Sequence, residues 1–172
     1  MAEIKSTLDL IMEKTQNMVL TEDEKEEIRR KELNEKIKGW VQQYQDNVIN
    51  LKAIKSEIQK EGKDRRAELK KPLRKEIIQR IEPDEDNTRL LQLLEEILGI
   101  NKKSIINMIN QFQEMLDTEK INKINAMKNR LNEKGISGTA VVPNLDSDKE
   151  WNGYYLNLKK EFKEKIKLIS DN

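Results

Sequence analysis

The feature that most constrains this fold is a long amphipathic run from Thr21 to Glu61. No proline interrupts it, and Gly39 is its single glycine. Apolar residues recur at spacings of three and four, which places them on one face of a helix. They are Ile37, Trp40, Tyr44, Val48, Leu51, Ile54 and Ile58. One continuous helix of this length would be about 60 Å long, so we expect other segments to lie alongside it.

The two ends of the run carry different signals. Thr21 and Glu24 have the spacing of a capping box, in which each side chain accepts a hydrogen bond from the backbone N–H of the other residue. Acidic residues fill the first turn, where the helix dipole favours negative charge. The sequence therefore predicts a well-defined start at Thr21 and a less defined end near Gly62.

Composition limits how thick the core can be. Apolar residues make up 35% of the 172-residue chain and charged residues 38%, whereas ordinary globular domains have about 45–50% and about 25%. Helical periodicity combined with few apolar residues favours long helices with narrow apolar seams. We therefore predict one elongated helical domain over 1–172.

Helical patterns also cover 2–18, 63–82, 87–98, 101–134 and 147–169. Turn-forming residues separate them: Pro83, Gly99 and Gly135 each follow a helical pattern and predict its end. Pro72 lies inside the 63–82 pattern and predicts a kink or a fresh helix start near Lys70–Lys71. The expected N-caps are Asp84, Asp86 or Asn87 for the fourth segment, Asn101 for the fifth, and Asp146 or Ser147 for the last.

Seams of similar length predict how these segments pack. The 21–61, 101–134 and 147–169 segments are the natural partners, with antiparallel neighbours crossing at about 20°. The shorter helices within 63–99 would then form a lobe at one end. The predicted fold class is an all-α, elongated antiparallel helical bundle with coiled-coil-like long helices and one extended loop near 135–145.

The absence of certain residues excludes several kinds of chemistry. The chain has no Cys and no His, which removes disulfides, thiolate metal sites and every Ser-His or Cys-His catalytic pair. An EF-hand register beginning at Asp84 fails because Arg89 occupies the position that needs glycine. We expect no enzyme activity, no cofactor and no metal. Without a signal-peptide pattern or an apolar span, we also expect no membrane partner and a cytoplasmic location.

A basic stretch from Lys60 to Arg80 is the first candidate binding site. It holds nine cations against four acids, and such a density can neutralise phosphates. It lacks interleaved aromatic residues for stacking on bases. The structural alternative is a solvated face whose charges pair with the acids of 82–96. The candidate partner-binding residues here are Arg65, Arg66, Lys70, Lys71, Arg74 and Lys75.

The loop from Gly135 to Leu145 is the second candidate. Val141 and Val142 favour extended backbone, which a partner strand could join at its edge. The alternative is a connector that lets the last helix reverse direction. Two aromatic pairs, Trp40 with Tyr44 and Trp151 with Tyr155, predict packing between the long helix and the last helix.

The pattern as a whole predicts a helical scaffold or adaptor that acts through protein–protein contacts along its helix faces. Long seams, high charge and the lack of reactive constellations favour this interpretation, and narrow seams also favour a homodimer. The alternative is a nucleic-acid-associated protein that uses 60–80. The protein partner is not specified by the sequence.

Overall fold

The computed structural model describes the backbone of residues 21–171 and the side chains there except those of 64, 170 and 171. This part of the chain forms six α-helices, one 3₁₀ turn and no β-strand, which confirms the all-α prediction. The helix predicted at 2–18 lies outside the described residues. The elements are α1 (Glu22–Gln45), α2 (Leu51–Lys60), α3 (Lys63–Arg80), α4 (Thr88–Leu98), α5 (Lys103–Glu133), the 3₁₀ turn (Leu145–Ser147) and α6 (Lys149–Asp171).

Helix α1 begins at the predicted capping box. The Thr21 hydroxyl accepts a hydrogen bond from the Glu24 backbone N–H at 3.2 Å, and the Glu24 carboxylate accepts one from the Thr21 N–H at 2.8 Å. Both bonds satisfy N–H groups that a helix start otherwise leaves without partners. The predicted start is confirmed.

The single helix predicted over 21–61 is wrong, because the chain breaks at Asn47. This residue has φ 60°, in the left-handed region that Asn tolerates better than most residues. The Val48 N–H reaches back to the Gln43 carbonyl at 2.9 Å, and the Asn47 N–H reaches the Tyr44 carbonyl at 3.2 Å. These two bonds form a Schellman motif, a common way for a helix to end.

A new helix starts three residues later. The Asn50 side chain accepts a hydrogen bond from the Ala53 N–H at 2.9 Å and caps α2. Between the two helices, Val48 is 71% exposed, although it was predicted to lie on the buried seam. The break therefore changes the direction of the chain after α1.

Pro72 does not start a new helix, so of the two predicted alternatives near Lys70–Lys71 the fresh start is wrong, and the kink stays a prediction. Helix α3 runs from Lys63 to Arg80 with Pro72 inside it. Leu69 and Leu73, on either side of the proline, are both buried. Burying this continuous apolar stripe stabilises the helix by more than the lost backbone bond costs.

The remaining boundaries follow local capping chemistry. Gly99 and Gly135 have φ of 66° and 76°; Gly99 directly follows α4, and Gly135 follows α5 after the capping residue Lys134. The Asn101 side chain accepts a bond from the Lys103 N–H at 2.9 Å. The cap predicted at Asp146 or Ser147 is wrong, since these residues lie in the 3₁₀ turn. Asp148 accepts the bond from the Trp151 N–H instead.

The core is one cluster of buried apolar side chains drawn from all six helices. Its members are Ile37, Trp40, Val41, Tyr44, Ile54, Leu69, Leu73, Ile77, Ile78, Ile81, Leu90, Leu91, Leu93, Leu94, Ile105, Phe112, Leu158, Phe162 and Ile166. Helix α3 contacts α1, α2, α4 and α6. Helix α3 therefore lies at the centre of the packing, and the lobe predicted for 63–99 stays a prediction.

The predicted pairing of the long seams holds for one pair and fails for α1. Helices α5 and α6 pack together, whereas α1 packs mainly on α3 and α4. The reason is the break after α1, which lets α3 fold back beside it. Coiled-coil geometry and an antiparallel arrangement of the whole bundle stay predictions.

Contacts between α5 and α6 run in opposite sequence order. Phe112 packs edge-on against Phe162 with ring centroids 5.9 Å apart. Further along α5, Lys123 pairs with Glu150 at 2.5 Å, near the start of α6. With 31 residues, α5 is about 46 Å long. Its last two thirds, 113–133, contain no fully buried side chain.

Candidate partner-binding groove

An open groove of about 1160 Å³ lies between the first part of α1 and one side of α3. Residues 22–36 of α1 contain no buried side chain, and Leu33 is the one that is half-buried. This part of α1 projects beyond the core because its apolar stripe begins only at Ile37. We refer to this surface as the α1–α3 groove.

Charged side chains of both signs line the groove. The cations are Arg29, Arg30, Lys31, Lys36, Lys38, Arg65, Lys71 and Lys75, and the carboxylates are Glu26, Glu27, Glu32, Glu61, Glu68 and Glu76. Its apolar side chains are Leu33, Ile37, Ala67 and Pro72. A surface of this composition can bind a ligand through charge and a narrow apolar contact.

Some of these charges pair with each other. Lys36 of α1 lies 2.5 Å from the Glu61 carboxylate, and Arg65 lies 3.6 Å from it on the other side. The hydrogen bond from Lys36 lowers the pKa of Glu61 below its ordinary value. Lys31 pairs with Glu27 at 2.9 Å within α1. The Lys36–Glu61 contact joins α1 to the residue that follows α2, at the edge of the groove.

Other groove cations have no acidic partner among the described residues. No carboxylate in the part of the chain that the structure describes lies at salt-bridge distance from Arg29, Arg30, Lys38, Lys71 or Lys75. Such cations remain available to an acidic ligand at lower cost than those that must first break an ion pair.

The structure divides the predicted basic residues between different surfaces. Arg65, Lys71 and Lys75 line the α1–α3 groove, whereas Lys70 and Arg74 do not.

Arg66 has a structural task. Its guanidinium donates to the backbone carbonyls of Glu61 at 2.8 Å and Gln59 at 2.7 Å. It thereby satisfies carbonyls at the C-terminal end of α2, where a cation also suits the helix dipole. Of the six basic residues, three therefore line the groove, two lie outside it, and Arg66 binds the end of α2.

The acids expected to neutralise the basic stretch pair with other lysines. Glu96 binds Lys55 at 3.0 Å, and Glu95 binds Lys102 at 2.7 Å. Glu82 binds α6, as described next. Within the described residues no salt bridge joins a cation of 60–80 to an acid of 82–96, whereas Arg65 pairs with Glu61 and Arg80 with Glu76 inside the stretch.

A second charged cluster joins α6 to the turn between α3 and α4. Lys159 lies 3.0 Å from Glu82 and 3.1 Å from Asp84. Lys163 pairs with Glu82, and the Tyr155 hydroxyl donates to Asp84. We call these five residues the lysine network. Their contacts connect segments about seventy to eighty positions apart in the sequence.

The lysine network shifts the pKa of its members. Burial raises the pKa of Glu82, but hydrogen bonds from Lys163 and Lys159 outweigh it and the net pKa is lowered. For Asp84, burial is likewise outweighed, by bonds from Tyr155 and Lys159. Burial lowers the pKa of Lys159, yet its carboxylate partners raise it overall. The network is a structural connection, since its charges already satisfy one another.

The 135–145 loop contains no strand. Val142 is 85% exposed and Val141 is half-buried. Pro143 follows directly and has no N–H to donate to a partner strand. Strand addition at Val141 and Val142 stays a prediction, with at most a short ladder available.

The aromatic pairs do not pack on each other as predicted. The Tyr44 hydroxyl donates to Gln92 at 2.7 Å, and the Arg89 guanidinium lies 4.0 Å from the Tyr44 ring centroid. Trp151 stacks on Tyr154 within α6. Tyr44 thus contacts α4, and Tyr155 packs edge-on against Phe112 of α5 with ring centroids 6.5 Å apart.

Within the described residues, no group of three or more acidic side chains is placed to hold a metal ion. No helix in that same part of the chain is long and apolar enough to cross a membrane. No family model, no curated protein and no solved structure matches this chain.

Sequence reasoning missed the α1 wall of the groove and the lysine network. The wall carries Arg29, Arg30 and Lys38, whose position depends on where the buried stripe of α1 starts. The network had a local signal in Lys159 and Lys163, which are four residues apart on one face of a helix. Their partners were not readable, because they come from a distant turn.

Proposed function

We propose that this protein is a helical scaffold or adaptor that binds a partner protein along its helix faces, with the α1–α3 groove as the main contact surface. The observation that carries the proposal is the groove itself. Two helices leave unpaired charges and an apolar floor open to solvent over a volume of about 1160 Å³. Grooves between helices are common docking sites for partner segments.

Site-specific crosslinking tests the location of this contact. The chain has no cysteine, so Lys75→Cys introduces a single thiol in the groove for a photo-crosslinker. Lys70→Cys places the same thiol on the same helix outside the groove. After nuclease treatment of a native extract, we expect a discrete protein adduct from position 75 and much less from position 70.

Charge reversal provides an independent arm of the same experiment. Lys71→Glu/Lys75→Glu changes the groove, and Lys70→Glu/Arg74→Glu changes the net charge of α3 by the same amount outside it. Loss of the captured protein with the first pair alone supports the proposal. Equal capture by both variants and the original chain contradicts it.

The second candidate function is nucleic-acid binding through the 60–80 cations. The observation in its favour is that Lys70, Lys71, Arg74 and Lys75 have no carboxylate at salt-bridge distance within 21–171. They lie on more than one side of α3, as phosphate contacts without sequence preference allow. Here both charge-reversal pairs would weaken binding.

A gel-shift experiment with duplex and single-stranded DNA separates the two functions. Each phosphate contact contributes a slope of about −0.9 to log K against log salt for duplex DNA. A retarded band at low salt that both pairs weaken supports nucleic-acid binding. No retardation at low salt excludes it.

Homodimer formation is a further part of the proposal. The second half of α5 keeps Ile124, Met127 and Leu131 only half-buried, and Ile121 is 58% exposed. A narrow seam of this kind suits pairing with a second helix. Light scattering across micromolar concentrations is expected to give twice the mass of 20.3 kDa. A constant monomer mass would contradict it.

A further inference from the structure

The unpaired charges of the α1–α3 groove have an excess of one sign. After the groove's own ion pairs are set aside, its free cations outnumber its free carboxylates. The free cations are Arg29, Arg30, Lys38, Lys71 and Lys75, and the free carboxylates are Glu26, Glu32 and Glu68. Both walls contribute cations. A ligand lying between the walls therefore meets positive charge on either side, which favours an acidic ligand.

The floor of the groove is apolar and narrow. Leu33 and Pro72 are half-buried and Ala67 is exposed, while Ile37 is buried beneath them. Apolar contact along such a floor suits one face of an amphipathic helix. The α1 wall from Glu26 to Lys38 is about 18 Å long, which matches about three helical turns.

The same residues disfavour a nucleic acid as the occupant. None of the described side chains that line the groove is aromatic, so it lacks the aromatic platforms on which bases commonly stack. Glu32 and Glu68 on the two walls would repel a phosphate backbone. A helical ligand with a few basic residues would instead provide partners for these two carboxylates.

We infer that the α1–α3 groove takes an acidic amphipathic helix of a different protein. The inference rests on the proposed function and adds the chemistry of the partner. The apolar stripe of the ligand lies on Leu33, Ala67 and Pro72. Its carboxylates pair with Lys71 and Lys75 on one wall and with Arg29 and Arg30 on the other.

Two synthetic peptides on the intact chain test this chemistry. Both are amphipathic sequences of about 14 residues with the same leucine stripe, but one has glutamate and the other lysine at the polar positions. Fluorescence anisotropy at low and at physiological salt gives both affinities. We expect the glutamate peptide to bind at least about tenfold more tightly.

The charge-reversal pairs locate the binding. Lys71→Glu/Lys75→Glu is expected to weaken the glutamate peptide about tenfold or more, and Lys70→Glu/Arg74→Glu less than about threefold. Far-UV circular dichroism and thermal unfolding of each variant show that the helices remain. Lys75→Gln, which removes one charge without reversing it, is expected to give an intermediate affinity.

Each contrary outcome identifies what fails. Equal affinity for the two peptides, with loss only in the groove pair, overturns the acidic partner while the groove remains a protein-binding surface. Equal loss in both pairs overturns the groove and the proposed function together. Duplex DNA that displaces the glutamate peptide would assign the groove to nucleic acid. Light scattering that shows a dimer broken only by the groove pair would assign it to a second copy.

Discussion

Single residues of the lysine network connect α6 to the end of α3. Lys163 donates to the backbone carbonyls of Ile81 at 2.8 Å and Gln79 at 3.2 Å, and it also pairs with Glu82. The last carbonyls of a helix have no partner within the helix and carry partial negative charge. One ammonium group thus satisfies a helix end and joins two distant elements.

Replacing Lys163 by methionine tests this connection. Lys163→Met keeps much of the apolar stem but removes the ammonium donor. The carbonyls of Gln79 and Ile81 and the carboxylate of Glu82 then lose this hydrogen-bond partner. We expect the free energy of unfolding to fall by about 1–3 kcal/mol, measured by urea denaturation. Lys160→Met is the control, because Lys160 is exposed on the same helix. A midpoint equal for both variants would show that Lys163 contributes nothing.

The lowered pKa values of Glu82 and Asp84 predict acid sensitivity. A carboxyl whose folded pKa lies below its unfolded value stabilises the fold above the unfolded pKa, about 4 for these residues. That contribution is lost as pH falls through the folded pKa. Stability at pH 3 is therefore expected to be lower than at pH 7, as followed by thermal unfolding.

A variant assigns the acid sensitivity to the network. Lys159→Met removes the ammonium that lies near both carboxylates, so its unfolding temperature should change less between pH 7 and pH 3. An unchanged pH dependence in this variant would place the acid-sensitive groups elsewhere in the chain.

Residue-level chemistry was only partly readable from the sequence. The capping box at Thr21 was predictable, because both partners lie within four residues of each other. The roles of Arg66 and Lys163 were not, since each depends on which backbone carbonyls the fold brings near. Basic residues at 60–80 were found by counting charge, but counting does not show which side of α3 each one faces.

At the scale of elements, the break after α1 shows how a local motif overrides a long periodic pattern. The apolar spacing from Ile37 to Ile58 keeps the same helical register on both sides of the break, so periodicity alone predicts one helix. Asn47 and Asn50 held the missing information, as a left-handed C-terminal residue and an N-cap. Either asparagine alone is a weak sign of a helix boundary, but the two together indicate that one helix ends and another begins.

Substitutions at Asn47 test the motif. Asn47→Gly is expected to leave stability nearly unchanged, because glycine adopts φ 60° without steric cost. Asn47→Ala is expected to cost about 1 kcal/mol. Denaturant midpoints of the two variants give the comparison, with circular dichroism reporting helix content. A gain of helix and stability in Asn47→Ala would show that α1 and α2 prefer to join.

For the whole molecule, the centre is α3 and not the longest apolar pattern. The all-α class was predictable because capping and periodicity agree in most segments. The packing order was not, since it depends on the turn at Asn47 and on the continuity of α3 through Pro72. Helix α1 packs on α3 and α4, and residues 22–36 at its start bury no side chain, so they form one wall of the open α1–α3 groove.

This arrangement predicts uneven stability along the chain. Residues 22–36 of α1 and 113–133 of α5 contain no buried side chain, whereas Leu69, Leu73 and Ile77 of α3 are almost fully buried. Segments with little buried apolar contact open locally at low free energy, and core helices exchange mainly through global unfolding. Hydrogen exchange read by mass spectrometry should therefore show fast exchange in the first two segments and slow exchange in α3.

The glutamate peptide adds a directional test to the same measurement. If it occupies the α1–α3 groove, exchange should slow in 22–36, whose helix gains packing that the free chain lacks. Exchange in 113–133 should not change, and this segment is the internal control. Slowing of both segments would indicate a global effect of the ligand on stability. If 22–36 exchanged as slowly as α3 in the free protein, the start of α1 would not be a weakly packed segment that is open to a partner.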